Sequence, residues 1–124
     1  MKSLTALRVV AGVHAVAICL QPILAGVYLN GSGPAMRLHE SIGLALTFTG
    51  LIQLLTATIW WRSGGRLFAP AVTLLITLGE ALQVAMGYSR QLAIHIPLGI
   101  ALVAAAVAFA FWTARQPTRV QVTV

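Results

Sequence analysis

The sequence predicts an all-α fold: a four-transmembrane-helix up-down bundle built from two similar two-helix units, with residues 1–124 forming a single integral membrane domain. Three observations predict it. The 124-residue chain is 59% hydrophobic and 8% charged, with a mean hydropathy of +0.91, whereas soluble domains carry about a quarter charged residues. Its apolar residues fall in four runs of ~20 residues, the length that crosses a bilayer. The few polar residues inside those runs repeat one pattern in both halves of the chain.

The first run extends from Leu7 to Leu29. Lys2 and Arg8 ahead of an apolar stretch have the outline of a signal peptide, but the run continues past Ala25 toward Tyr28 and holds His14 and Gln21, so we read it as a retained span. Pro22 inside it is expected to release the carbonyl of Ile18 and kink the helix. Asn30-Gly31-Ser32-Gly33-Pro34 breaks the chain before a second run from Leu38 to Trp61. Arg62-Ser63-Gly64-Gly65-Arg66 leads to a third from Leu67 to Tyr88, and Ser89-Arg90-Gln91 to a fourth from Leu92 to Thr113, closed by Gln116-Pro117. Pro70 and Pro97 are placed in first turns, where a missing N–H costs little.

A net charge of +6 and a pI near 11.3 would point to nucleic acid in a soluble protein. Here the eight Lys and Arg lie between apolar runs, so the excess reads as membrane topology and not as nucleic-acid binding. Lys2, Arg8, Arg62, Arg66, Arg115 and Arg119 fall on one side of an up-down bundle; Arg37 and Arg90, with Glu40, fall on the other. Both termini are therefore expected in the cytoplasm. Tyr28, Trp60, Trp61, Tyr88 and Trp112 occupy span ends, where amphipathic rings favour the headgroup region.

Ionisable side chains inside spans are costly, so each is expected to face the bundle interior. They are His14, His39, Glu80 and His95, with Glu40 near a span end. In the second run His39, Gly43, Leu46, Gly50, Gln53 and Ala57 share one helical face; in the fourth, His95, Gly99, Leu102, Ala106 and Phe109 do the same. The preceding runs also correspond, Gln21 to Gly26 and Tyr28 matching Gln83 to Gly87 and Tyr88. Each half reads glutamine, glycine, tyrosine, loop, histidine, glycine. This implies one two-helix unit used twice about an axis along the membrane normal.

His39 and His95 both begin helices that run inward from the same surface, which puts them at similar depth on nonadjacent spans. Two imidazoles so placed suit a planar iron porphyrin, which takes axial nitrogens on both faces, an apolar slot and cations near its carboxylates. His39 and His95 are then the iron ligands, Arg37 and Arg90 the carboxylate partners, and Gly43 and Gly99 the source of room beside the rings. Gln21 and Gln83 are donors beside the cofactor or links between helices. The other reading of the two histidines is an interface pair bonded to backbone or water. Cys19 is the single cysteine and no Cys-x-x-Cys-His occurs, so haem attachment would be non-covalent. For His14 an interhelical hydrogen bond is expected. Glu80 shares a face with Thr73, Thr77, Gln83 and Gly87, pointing inward as a link between helices or as a proton- or ion-binding group.

Leu82-Gln83-Val84-Ala85-Met86-Gly87, followed by Ile94-His95-Ile96-Pro97-Leu98-Gly99, resembles the glutamine–glycine and loop–histidine pattern of haem A synthases, which Gln21, Gly26 and His39 repeat more loosely. The resemblance covers nearly all of this chain and one four-helix half of a family member. It implies haem held by paired histidines near the outer face, at His39 and His95. The family's catalytic half has a glutamate three residues before the first of these histidines; here that position is Met36. The resemblance therefore implies a haem-carrying half and not haem-methyl oxygenation.

Together these features lead to a membrane b-type haem protein with one haem b, transferring electrons between partners such as a membrane quinone or another redox protein, alone or as a homodimer. No catalytic residue is assigned. Two alternatives from other classes are a small proton-coupled transporter using Glu80 with His14, and a haem-free structural membrane subunit.

Overall fold

The computed structural model describes residues 2–117, which form four α-helices with no strand among them: α1 (Lys2–Leu29), α2 (Gly33–Arg62), α3 (Phe68–Tyr88) and α4 (Leu92–Ala114). All four are long and apolar enough to cross a membrane. Arg119, one of the cations expected on the cytoplasmic side, lies outside the described residues. α1 and α2 start about a turn before their apolar runs, because backbone hydrogen bonding carries a helix through polar flanks once an apolar segment has nucleated it. Pro34 at the start of α2 supplies a preset φ there.

α1 continues through Pro22. Pro97 departs from the expected first-turn position: it lies inside α4, past its first turn, so the carbonyl of Ala93 loses the N–H it would accept from residue 97. The three turns each use one left-handed residue, Gly31 at φ +99°, Gly64 at φ +90° and Arg90 at φ +55°. Arg90 adopts this conformation at some steric cost, while its neighbours close the end of α3 through Gln91 N–H to Met86 O at 2.9 Å.

Each helix packs on two others: α1 on α2 and α4, and α3 on α2 and α4. Both diagonals are spanned by side chains. His14 on α1 meets Glu80 on α3, and His39 on α2 faces His95 on α4. The apolar core includes Leu7, Ala11, Ile18, Leu46, Ile76, Leu102 and Phe109. Trp112 stacks among Trp60, Phe68 and Phe109, at centroid distances of 5.9, 4.8 and 5.7 Å. Trp60 and Trp112 thus pack partly inside the bundle, beyond the headgroup role expected of them.

Arg8 has a structural task besides its charge. Its guanidinium donates to the carbonyls of Thr113 and Ala114 at 3.1 and 3.2 Å and to that of Gln116 at 2.5 Å. These include carbonyls that the end of α4 leaves without helical partners. The polarity of the bundle is inverted relative to a soluble protein: His14, Gln53, Thr73, Thr77 and Glu80 are buried, while Phe48, Leu75, Leu78, Ile96 and Ile100 face outward. Such a surface fits lipid, in which outward apolar groups cost nothing and inward polar groups must pair.

Candidate functional site

His39 lies in the second turn of α2 and His95 in the first turn of α4. Their ring centroids are 6.1 Å apart and their planes inclined at 63°. Each ring is held the same way. His39 Nδ1–H donates to the backbone carbonyl of Gln21 at 3.1 Å, and His95 Nδ1–H to that of Gln83 at 2.9 Å. A carbonyl only accepts, so Nδ1 carries the hydrogen and Nε2 of the neutral ring keeps its lone pair. Metal-bound histidines are oriented by bonds of this kind.

The glutamines therefore act first through their backbones. Their side chains add two buried atoms without a hydrogen-bond partner, Gln21 Nε2 and Gln83 Oε1. The glycines differ from expectation in what they accommodate. A Cβ at Gly43 would lie 3.8 Å from Gln21 Oε1, and one at Gly99 would lie 2.7 Å from Gln83 Nε2. Both make room for a glutamine amide. The glycine against an imidazole is Gly87, where a Cβ would come to 3.0 Å from His95 Cε1 and 3.3 Å from Nδ1. Its counterpart Gly26 has nothing within 4 Å. Gln21 and Gly26 are five residues apart, Gln83 and Gly87 four, and one residue turns a helix by about 100°.

Arg37 and Arg90 are exposed at the histidine end, as is Glu40. Tyr88 donates its hydroxyl hydrogen to Glu40 Oε1 at 2.5 Å, joining α3 to α2 beside Gly87 and His39.

The spacing of the two rings and the tautomer of each are compatible with a metal held between them. Nε2 bonds a metal at about 2 Å and lies about 1 Å from the ring centre, so two imidazoles on opposite sides of one atom have centres about 6 Å apart. The observed separation is 6.1 Å. Both rings already have the tautomer that frees Nε2, and the unpartnered Gln21 Nε2 and Gln83 Oε1 supply a donor and an acceptor in the same layer.

A second polar group fills the middle of the bundle. His14 Nδ1 is 3.0 Å from Gln53 Oε1, and His14 Nε2 is 2.5 Å from Glu80 Oε1. The three side chains come from α1, α2 and α3 and are all buried. Glu80 thus faces inward as expected, but its direct partnership with His14, and the part of Gln53 in it, were not read from the sequence. A signal existed in the placement of Gln53 on the stripe that carries His39. A shallow groove of about 310 Å³ lies elsewhere, between α1 and α4 beside Arg8, lined by Gly12, Ala15, Val107, Ala110, Phe111 and Ala114.

Comparison of the chain with protein families, with curated proteins and with solved structures finds no match.

Proposed function

We propose that this chain is a membrane-embedded b-type haem protein that passes single electrons through one non-covalent haem b held by His39 and His95. The observation that carries the reading is the matched pair of imidazoles, 6.1 Å apart, each oriented through Nδ1 by the carbonyl of a glutamine on the preceding helix. His39 and His95 would hold the haem, which would supply a one-electron couple there. The chain's own residues do the rest. The carbonyls of Gln21 and Gln83 fix the tautomer and aim of each ring, Gly87 lets His95 lie close to α3, and Arg37 and Arg90 offer positive charge to the haem carboxylates at the exposed end. A membrane quinone or another redox protein is the partner class.

The reading includes an up-down arrangement of two similar units. It is supported by paired contacts whose numbers run in opposite directions, Gln21 with His39 and His14 with Gln53, and by the recurrence of the glutamine-to-histidine bond in each half. Lys2, Arg8, Arg62, Arg66 and Arg115 support cytoplasmic termini, with the histidine pair toward the outer side. The likeness to one half of a haem A synthase belongs to the same reading.

The test is the absorption spectrum of the detergent-extracted chain. Low-spin b-type Soret and reduced α bands are expected, with His39→Ala and His95→Ala each abolishing or converting them. Retention of the wild-type low-spin spectrum by both variants refutes the assignment.

A further inference from the structure

We infer that His14, Gln53 and Glu80 form a buried proton-binding site whose ligand is a single exchangeable proton. The inference is independent of the haem reading. Gln53 presents Oε1 to His14 Nδ1 at 3.0 Å, and an amide oxygen only accepts, so Nδ1 carries a hydrogen. The contact of His14 Nε2 with Glu80 Oε1 then requires a second proton between imidazole and carboxyl. In this arrangement the pair shares one proton and is neutral overall. Burial makes neutrality the favoured condition for His14 and Glu80 together, since a lone buried charge is costly.

The same three side chains also satisfy a second state. When the shared proton leaves for water, a half-turn of the Gln53 amide offers Nε2–H to Nδ1. The hydrogen remaining on His14 moves to Nε2 and donates to the Glu80 carboxylate, a charge-assisted bond that offsets part of the cost of the single negative charge the site then holds. Gln53 Nε2 has no partner in the structure, so the turn exchanges the bond from Nδ1–H to Oε1 for one from Nε2–H to Nδ1 and breaks no other. Glu80 Oε2 and Thr73 Oγ1 are likewise buried and unpartnered, which leaves the carboxyl a second oxygen able to carry the proton.

The surroundings add no other ionisable side chain to this pair among the described residues. α1 supplies His14 and α3 supplies Glu80. α2 faces them with Gln53 and Gly50, and α4 packs Leu102 against Gly79 beside Glu80, none of which ionises. Arg8, the preceding cation on α1, is occupied by the carbonyls at the end of α4. Glu40, the other of the chain's two acids, bonds Tyr88 at the opposite end of α3.

The experiment is pH-difference infrared spectroscopy on the full chain in liposomes, across the range in which imidazoles and carboxyls ordinarily titrate. The expected result is a carboxyl band that exchanges with a carboxylate band and shifts in deuterium oxide, with a glutamine amide band moving in step. In a Glu40→Gln background, which takes away the exposed acid, Glu80→Gln removes the first signal and Gln53→Leu removes the second. Nitrogen NMR of His14 in the wild-type chain reads the same event without a substitution, as a tautomer change between Nδ1–H and Nε2–H forms. His14 locked in one form across the range overturns the proposal, as does a carboxyl signal equal in Glu40→Gln and in the Glu40→Gln/Glu80→Gln double variant. A signal that answers to sodium at fixed pH and not to acid also overturns it.

Discussion

Gly50 is where α2 comes closest to the polar interior, and replacing it by alanine gives a test with a magnitude. The new Cβ would stand 2.7 Å from Glu80 Oε2, 2.8 Å from Thr77 Oγ1 and 3.4 Å from Thr77 Cβ. Glu80 can bend its long side chain. Thr77 cannot: it is β-branched, and its hydroxyl is committed to the carbonyl of Thr73 at 2.9 Å. The helices must therefore separate or that bond must break, for which overpacking of about 1–3 kcal/mol is the usual cost. Against this stands a gain of about 1 kcal/mol for replacing a helical glycine by alanine. Any displacement of Glu80 from His14 adds to the loss. We expect Gly50→Ala to destabilise the bundle by about 1–2 kcal/mol, roughly a tenfold rise in the unfolded fraction. The assay is equilibrium unfolding in mixed micelles followed by tryptophan fluorescence. Gly12→Ala, with nothing within 4 Å of its Cβ, isolates the helix-propensity term and is expected to be neutral or stabilising. A Gly50→Ala chain as stable as Gly12→Ala would refute the packing argument.

Gly87→Ala is expected to displace the His95 ring by a few tenths of an ångström and change the spectrum of the haem proposed for this site, while Gly26→Ala leaves it as in the wild type; equal spectra for the two variants would contradict the distinct surroundings of these glycines. Arg8→Ala should lower stability by about 1–2 kcal/mol, the value of partly exposed charge-assisted bonds to α4. Arg8→Lys should recover less than half of that, because a point cation cannot reproduce the guanidinium fork; full recovery in the same unfolding assay would reduce Arg8 to a charge.

Much of the fold was legible because lipid imposes a simple rule on length and polarity. Four apolar runs became four helices, with ends moved by about a turn at Lys2 and Gly33 and an interior position for Pro97. The paired layer of Gln21, His39, Gln83 and His95 was legible too, since helical phase and direction bring such residues to one level. What was hidden depends on how far one helix is shifted along another. Glu80 lies eight residues before the end of α3, whereas His14 lies fifteen before the end of α1. Counting from the ends separates them, and only the tilt and offset of the helices, with the reach of a glutamate, bring them together. The task of Arg8 was hidden for a related reason: a cation near a span end looks like a topology signal whether or not it caps a neighbour.

The His14–Gln53–Glu80 contact also sets an order on assembly. Synthesis delivers α1 to the bilayer before either of its partners exists, then α2 with Gln53, and only afterwards α3 with the carboxylate. Gln53 is thus the interim companion of a histidine in transit, and a chain arrested after Arg62 would hold that imidazole by one amide alone.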